Sequence, residues 1–305
     1  MISNPVPWPN GARCAVAFTF DMDAESLLHL SYPDKAHTMV STASQLRYGP
    51  QVGVPRILES YRHFGIKQTF FVPGWCAERY PHAVEAMVKD GHEVAGHGWL
   101  HEHPNELSDE HERFWLHHSL ASVEKITGIK PVGWRAPLYN YSHRSTDLLL
   151  EAGIAYDASL MGDDVPYLLR AQRGELLELP THWGMDDWPP FMHSTEFGFQ
   201  MPIQAPAFAW QNWWQEFEAA WEYGGMWIPV WHPFLSGRLA RWRQTHRMIE
   251  QMIDKGGVWF APLCDIARHV RQCIDEGRWT PRTERYGETE GLPAISGRGV
   301  ARRSG

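Results

Sequence analysis

Short apolar runs alternate with longer amphipathic segments along most of the chain. The apolar runs predict strands at 14–20, 68–72, 92–95, 132–134, 155–156, 176–179, 226–230 and 258–260. Helical periodicity lies between them, near 54–64 and over 76–90, 108–127, 144–152, 210–222, 237–255 and 263–276. Strands separated by helices are typical of βαβ units, so we predict an α/β fold with a parallel sheet, for which a closed barrel is one arrangement.

Two segments fall outside this alternation. Residues 24–53 form a long connection rich in Ser, Tyr, His and Pro, which is typical of a lid or an assembly arm. Residues 278–305 are polar and end in SGRGVARRSG, which predicts a weakly ordered tail or an arm that clasps another subunit. We therefore expect a single domain over residues 1–277, a tail over 278–305, and a homo-oligomer.

Composition and charge narrow the possible partners. The chain has 305 residues and a net charge of −8, and its scattered basic residues make nucleic acid an unexpected partner. We expect no membrane span, because no apolar run approaches about 18 residues, and a cytoplasmic location, because the N-terminus lacks a secretory layout. The four cysteines are far apart and are expected to be free thiols. Seventeen histidines and sixteen tryptophans suggest that some of them line a pocket.

The heptapeptide FDMDAES, residues 20–26, ends the first predicted strand with two acids. Alternate residues of a strand point to the same face, so Asp21 and Asp23 should lie side by side. Their charges repel at that distance. A positive group is therefore expected next to them.

The segment HEVAGHGWLHEHP, residues 92–104, holds a candidate for that positive group. His97 and His101 are four residues apart, and on one helical turn both imidazoles would share a face, as metal ligands often do. In a chain with seventeen histidines they can also be ordinary surface or core residues. Two histidines and one of the acids would suit zinc, and also iron, manganese or cobalt, and would leave the other aspartate free to act as a base.

Two further segments place charged groups at predicted strand ends. GWRAPLYNYS, residues 133–142, contains Arg135, which can hold a nearby carboxylate ionised or can pair with any surface acid. IPVWHP, residues 228–233, contains His232, which can be a structural histidine or a general acid.

The four motifs FDMD, HGWLH, WRAP and VWHP resemble, in order and context, those of the polysaccharide deacetylase superfamily (NodB homology, carbohydrate esterase family 4). The resemblance covers about residues 10–275. It implies a distorted (β/α) barrel of about seven strands and a catalytic role for the domain expected over 1–277. The roles that it implies are Asp21 as catalytic base, Asp23, His97 and His101 as metal ligands, Arg135 as the group that orients the base, and His232 as the acid.

Met22, between the two aspartates, departs from the adjacent pair of many members. This form resembles the branch with Helicobacter-type peptidoglycan deacetylases, cyclic imide hydrolases and allantoinase-like proteins, in which the family name is a poor guide to substrate and some members dispense with metal. The complete Asp-His-His set favours metal binding here. The family's fourth motif, an Asp and a Trp that assist the arginine, fits Asp157, Asp164 or Asp187, and the DDWPP loop, residues 186–190, is expected to line the pocket.

Potential cover over the site favours a small-molecule substrate. The 24–53 connection and several aromatic residues predict a closed pocket, which suits a cyclic imide or a related small amide. N-deacetylation of peptidoglycan or chitooligosaccharides is the second expectation, and a non-catalytic carbohydrate- or partner-binding module is the third. The residues expected to contact substrate are Pro137, Trp183, Asp187, Trp188 and Trp231.

Overall fold

Residues 1–286 are described by a computed structural model, in which the strands are short and mostly parallel. They are β1 (Cys14–Val16), β2 (Thr19–Asp21), β3 (Thr69–Val72), β4 (Glu93–Gly96), β5 (Gly133–Trp134), β6 (Tyr156–Asp157), β7 (Tyr167–Ala171), β8 (Gly174–Glu178), β9 (Met226–Trp227), β10 (Val230–Trp231), β11 (Val258–Phe260) and β12 (Thr283–Glu284).

Helices connect these strands. They are α1 (Ser26–Ser31), α2 (Val40–Tyr48), α3 (Val54–Phe64), α4 (Gly74–Arg79), α5 (Pro81–Lys89), α6 (Asp109–Thr127), α7 (Ser145–Ala152), α8 (Trp188–Phe191), α9 (Pro206–Tyr223), α10 (Pro233–Ser236), α11 (Leu239–Lys255) and α12 (Leu263–Asp275). None of these helices is long and apolar enough to cross a membrane.

The strands curve towards a barrel. β1 and β2 follow one another along one path, as do β9 and β10, and the larger sheet runs β10-β2-β3-β4-β5-β6-β8-β7-β12. When each interrupted pair is counted as one strand, the path from β9–β10 to β8, both included, contains seven parallel strands. The chain after β8 returns to the opposite edge, where Asp186 pairs with Val230 and the Asp187 N–H donates to the Val230 carbonyl at 3.0 Å. Within residues 1–286 no continuous ladder closes the ring, which makes this the expected distorted (β/α) barrel.

The first strand is buried on both faces, and its period of two places the acids. Phe18 and Phe20 belong to the apolar cluster under the helices, whereas Ala15 and Ala17 belong to a second cluster. Residues of odd number therefore share the second face. Continued along the chain, this parity puts Asp21 at the carboxyl end of the strands, where sites of parallel α/β folds lie.

The helix expected over 76–90 is divided into α4 and α5. Pro81 cannot donate a backbone hydrogen bond, and Tyr80 has the non-helical angles φ −127° and ψ 52°. The hairpin β7–β8 was predicted only in its second half. Its turn carries Gln172 and Arg173, and both backbone N–H groups donate to the Asp147 carboxylate on α7, at 3.3 and 2.7 Å. A side chain that is distant in the sequence therefore stabilises this turn.

The chain stays packed beyond the expected boundary at residue 277. The Trp279 side chain is buried in the core, and β12 pairs with β7. The expected tail therefore begins with residues that join the sheet. Its remainder, residues 287–305, lies outside the described residues, and the boundary and the role as an arm stay predictions.

Candidate active site

Two carboxylates lie buried at the carboxyl end of β2. Asp21 and Asp23 are 4% and 1% exposed. The backbone at Asp23 is fixed from two sides, because its carbonyl accepts hydrogen bonds from the Ser26 hydroxyl at 2.6 Å and the Cys76 thiol at 2.8 Å. Rigid backbone support of this kind holds a ligand side chain in one orientation.

A loop, rather than the expected helical turn, brings His97 and His101 together. Residues 97–103 contain no helix, and His101 has the left-handed backbone angle φ 72°. The expectation of a shared helical face is therefore wrong, although the two rings do meet, with centroids 5.0 Å apart. Glu102, a residue of the same loop, stabilises it: its carboxylate accepts hydrogen bonds from the N–H groups of Trp99 and Leu100 at 2.9 and 2.8 Å.

Asp23, His97 and His101 offer ligand atoms that all lie within 4.8 Å of one another. His97 Nδ1 lies 2.7 Å from the Arg135 carbonyl, which can only accept, so Nδ1 carries a hydrogen. Burial lowers the pKa of His97 but Asp21 and Asp23 raise it overall, and in the neutral ring Nε2 presents a lone pair towards Asp23. Asp23 Oδ1 is 3.3 Å from that nitrogen, yet it is buried without a hydrogen-bond partner. Burial lowers the pKa of His101 to about 3, so its imidazole is neutral at pH 7. Two acceptors that face each other without a proton between them fit a divalent cation.

Asp21, the second acid, is held by a buried guanidinium. Arg135 Nη1 donates to Asp21 Oδ1 at 2.7 Å and to the Thr19 hydroxyl at 2.9 Å, while Nε donates to the Ala158 carbonyl at 2.9 Å. The guanidinium also lies 4.1 Å from the centre of the Phe71 ring. This arrangement fixes one carboxylate oxygen and leaves the other, Oδ2, 3.7 Å from His97 Nε2.

None of the three aspartates considered as helpers of Arg135 contacts its guanidinium. Asp157 is connected to Arg135 only indirectly, through Ser159 and the backbone of the next residue. The Ser159 hydroxyl donates a hydrogen bond to the Asp157 carboxylate at 2.7 Å and accepts one from the Ala136 N–H at 2.8 Å. Asp164 lies in a separate surface pocket next to the N-terminus.

Asp187 serves the histidine instead. Its carboxylate accepts hydrogen bonds from His232 Nδ1 at 2.7 Å, from the His232 N–H at 3.0 Å, and from the N–H and hydroxyl of Ser236. The opposite ring nitrogen, Nε2, faces Asp23 Oδ2 at 3.4 Å. Asp187 therefore orients His232 and is not a wall of the cavity, which corrects its expected role in substrate contact.

A cavity opens above these groups and, with the solvent at its open mouth included, comprises about 590 Å³. Of the residues expected to contact substrate, Trp183 and Trp188 line it, and Pro137 does not. Trp231 does not line it either, because its fully buried indole packs against Phe18, Phe20, Trp213 and Trp227 in the core. Alternation explains this, since Val230 and His232 share one face of the strand and Trp231 takes the other.

Several cavity residues were missed by sequence reasoning. They are Leu27, Ala136, Leu138, Tyr139 and Phe199. Tyr139 stands in the same motif as Arg135, four residues later, and that position was the available signal. Asp186 lines the cavity as expected for the DDWPP loop.

The comparisons with known proteins agree with this geometry. Residues 46–156 match the family model for polysaccharide deacetylase. A crystal structure of a candidate polysaccharide deacetylase from Mycobacterium smegmatis is 40% identical and superposes with a TM-score of 0.88, over 94% of this chain and 99% of that chain. This chain belongs to the polysaccharide deacetylase family. Hydrolysis of C–N amide bonds is the reaction of the polysaccharide deacetylase family.

Other relatives of this polysaccharide deacetylase family member differ in what they act on. A peptidoglycan deacetylase from Helicobacter pylori is 29% identical over 252 residues, which cover 72% of this chain and 84% of the relative. The crystal structure of Puue allantoinase is 25% identical, with a TM-score of 0.76 over 88% of this chain and 95% of that chain. Membership in the family therefore leaves the substrate to be argued from the cavity.

Proposed function

We propose that this protein is a metal-dependent hydrolase of a small cyclic amide or imide, such as succinimide, hydantoin or allantoin. The observation that carries the proposal is the wall of the cavity at Leu27 and Phe199, because the two chain segments that supply these residues are joined to each other. The Thr42 hydroxyl, on α2, lies 2.8 Å from the Ser194 hydroxyl, and the Thr42 N–H donates to Glu196 at 3.0 Å. The Tyr32 and Phe197 rings meet with centroids 5.8 Å apart. A wall joined in this way favours an enclosed small molecule over a long polymer.

The wall is also apolar and aromatic. Trp188 stands between His232 and Phe199, with ring centroids at 5.3 and 5.1 Å. Leu27 and Leu138 add aliphatic surface. A planar ring stacks well on such surfaces, whereas the many hydroxyl groups of a sugar need hydrogen-bond partners that these apolar side chains do not offer.

In this proposal Asp23, His97 and His101 hold a divalent metal ion, for which we propose zinc, with iron, manganese or cobalt as the other outcomes of metal analysis. Such an ion, when bound, polarises the substrate carbonyl and makes a water molecule more acidic. Asp21, held by the hydrogen bond from Arg135, takes the proton from the attacking water. His232, oriented by Asp187, gives a proton to the departing nitrogen.

A specific observation supports N-deacetylation of peptidoglycan or chitooligosaccharides as the second candidate. Trp183 is 48% exposed at the cavity rim, and its indole contacts the edge of Tyr139 with centroids 4.7 Å apart. An exposed indole is a stacking surface for a pyranose ring. The Helicobacter pylori relative is named a peptidoglycan deacetylase.

Turnover of succinimide, hydantoin, allantoin and N-acetylglucosamine oligomers by metal-loaded protein separates the two candidates. We expect turnover of at least one small ring and little release of acetate from the oligomers. The variants Trp188→Ala and Trp183→Ala sharpen the comparison. The inner Trp188 should matter more for a small ring, and the rim Trp183 more for an oligomer. Activity confined to the oligomers would overturn the proposal.

A cytoplasmic location and a homo-oligomer assembled through the 24–53 segment and the tail are further proposals. The mass of the protein in solution tests the second, and a monomer at all concentrations would contradict it.

A further inference from the structure

One carboxylate in the cavity has no role in the proposed reaction. Asp186 lines the cavity next to the metal ligands and His232, and it is 4% exposed. Its backbone is fixed by the bridge to Val230, which joins the chain after β8 to β10. A buried carboxylate at a rigid position beside a reaction site needs a physical explanation, because burial without full hydrogen bonding is costly.

The contacts of Asp186 leave part of its acceptor capacity unused. The Tyr139 hydroxyl donates to Oδ2, and the Trp188 N–H donates to Oδ1 at 2.7 Å. His232 Nδ1 is 3.9 Å away and directs its hydrogen to Asp187 instead. A carboxylate offers about four acceptor sites, so room for a further donor remains. Burial raises the pKa of Asp186 to about 7, which agrees with incomplete compensation of its charge.

The rest of the wall makes Asp186 decisive for recognition. Apart from the groups assigned to the reaction, the lining side chains are Ala136, Leu27, Leu138, Trp183, Trp188, Phe199, Tyr139 and Asp186. Of these, only Tyr139 and Asp186 carry an oxygen atom, and the Tyr139 hydroxyl hydrogen is directed to Asp186. The indoles of Trp183 and Trp188 add N–H donors but no acceptor, so a substrate N–H that faces these eight side chains finds a carboxylate acceptor only in Asp186.

We propose that Asp186, oriented by Tyr139, accepts a hydrogen bond from a ring N–H of the substrate that is not part of the scissile bond. This selects cyclic ureides of the hydantoin type, which carry two ring N–H groups, over plain imides, which carry one. The inference rests on the proposed function and names the substrate class of the same site. A site built around such a contact rejects an analogue that lacks the donor, because the buried acceptor is then left unpaired.

The test compares hydantoin with 1-methylhydantoin, in which a methyl group replaces the second N–H. We expect wild-type kcat/KM to favour hydantoin by about 30-fold or more, and the ratio to fall to within about threefold in Asp186→Asn. Tyr139→Phe should lower the ratio partly, because it removes the group that orients the carboxylate. Tyr141→Phe is the matched control, since that hydroxyl contacts Thr146 at 3.0 Å outside the cavity lining, and it should keep the wild-type ratio.

The wild-type ratio needs no variant and stands even if Asp186→Asn fails to fold. Equal turnover of the two hydantoins, or an unchanged ratio in a folded Asp186→Asn, would overturn the role of Asp186 and leave the proposed function intact. Hydrolysis of succinimide but not of hydantoin would likewise overturn the role of Asp186 and leave the proposed function intact. Failure of all the small rings, together with acetate release from oligomers, would overturn both proposals.

Discussion

Glu102 should control how well the loop of residues 97–103 presents its ligand, and Glu102→Gln tests this. The buried carboxylate accepts hydrogen bonds from the N–H groups of Trp99 and Leu100, next to His101 with its left-handed backbone. A glutamine has one acceptor oxygen, so its amide group would face the other N–H donor. Losing one charge-assisted bond in a buried turn costs about 1.5–3 kcal/mol.

Part of that cost should appear in folding and part in the orientation of His101. We expect the free energy of unfolding of the metal-free protein to fall by about 2 kcal/mol in urea. The affinity for zinc, measured by competition with a coloured chelator, should fall about 10- to 100-fold, as for other groups that orient a metal ligand. Neither measurement depends on knowing the substrate.

Glu106→Gln is the matched control, because it makes the same change in the next turn of the chain. Glu106 is exposed, and its carboxylate lies 3.4 Å from His103 Nδ1. It should keep the wild-type stability and zinc affinity. If Glu102→Gln behaves like Glu106→Gln in both assays, the carboxylate does not position the loop, and the reasoning is refuted.

Three further predictions concern other buried groups. Asp187→Asn should lower kcat by about 10²- to 10⁴-fold with little change in KM, because the amide no longer holds His232 in one tautomer, and an unchanged kcat would contradict this. Arg135→Lys should lower kcat by about 10- to 1,000-fold, because an ammonium cannot reproduce the donor set that reaches Asp21, whereas full activity would rule out a specific guanidinium role. Burial lowers the pKa of His92 from 6.5 to about 4. Below pH 6.5 the unfolded chain therefore binds a proton that the folded chain binds only near pH 4, and stability falls by up to about 3 kcal/mol over that window. His92→Gln should flatten the pH dependence of the free energy of urea unfolding by this amount. If the pH profiles of the variant and wild type run parallel, this role of His92 is contradicted.

The first strand shows what alternation alone predicts. Its period of two, continued from Ala15 and Ala17, places Asp21 at the inner carboxyl end, as the structure has it. The same rule, applied to Val230 and His232, would have sent Trp231 to the core. An aromatic residue next to a candidate acid therefore lines a pocket only if both side chains occupy the same face of the strand.

The metal-ligand loop shows what the sequence pattern does not contain. Its path depends on hydrogen bonds from the N–H groups of Gly74 and Trp75 to the carbonyls of Gly98 and Trp99, each 2.9 Å long. These partners are more than twenty residues apart in the chain, so local spacing suggested a helix instead. The roles of Asp186 and Asp187 are likewise set by their pairing with β10, a contact between distant segments.

Metal content tests the central claim most directly. Wild-type protein, stripped with a chelator, reloaded with zinc and freed of excess metal, should hold about one ion per chain by elemental mass spectrometry. His97→Ala should bind almost no zinc. Asp187→Asn changes the neighbouring group of Asp186, Asp187 and His232, and it should bind as much zinc as wild type. An undiminished ion in folded His97→Ala would contradict the assignment of Asp23, His97 and His101 as the metal site.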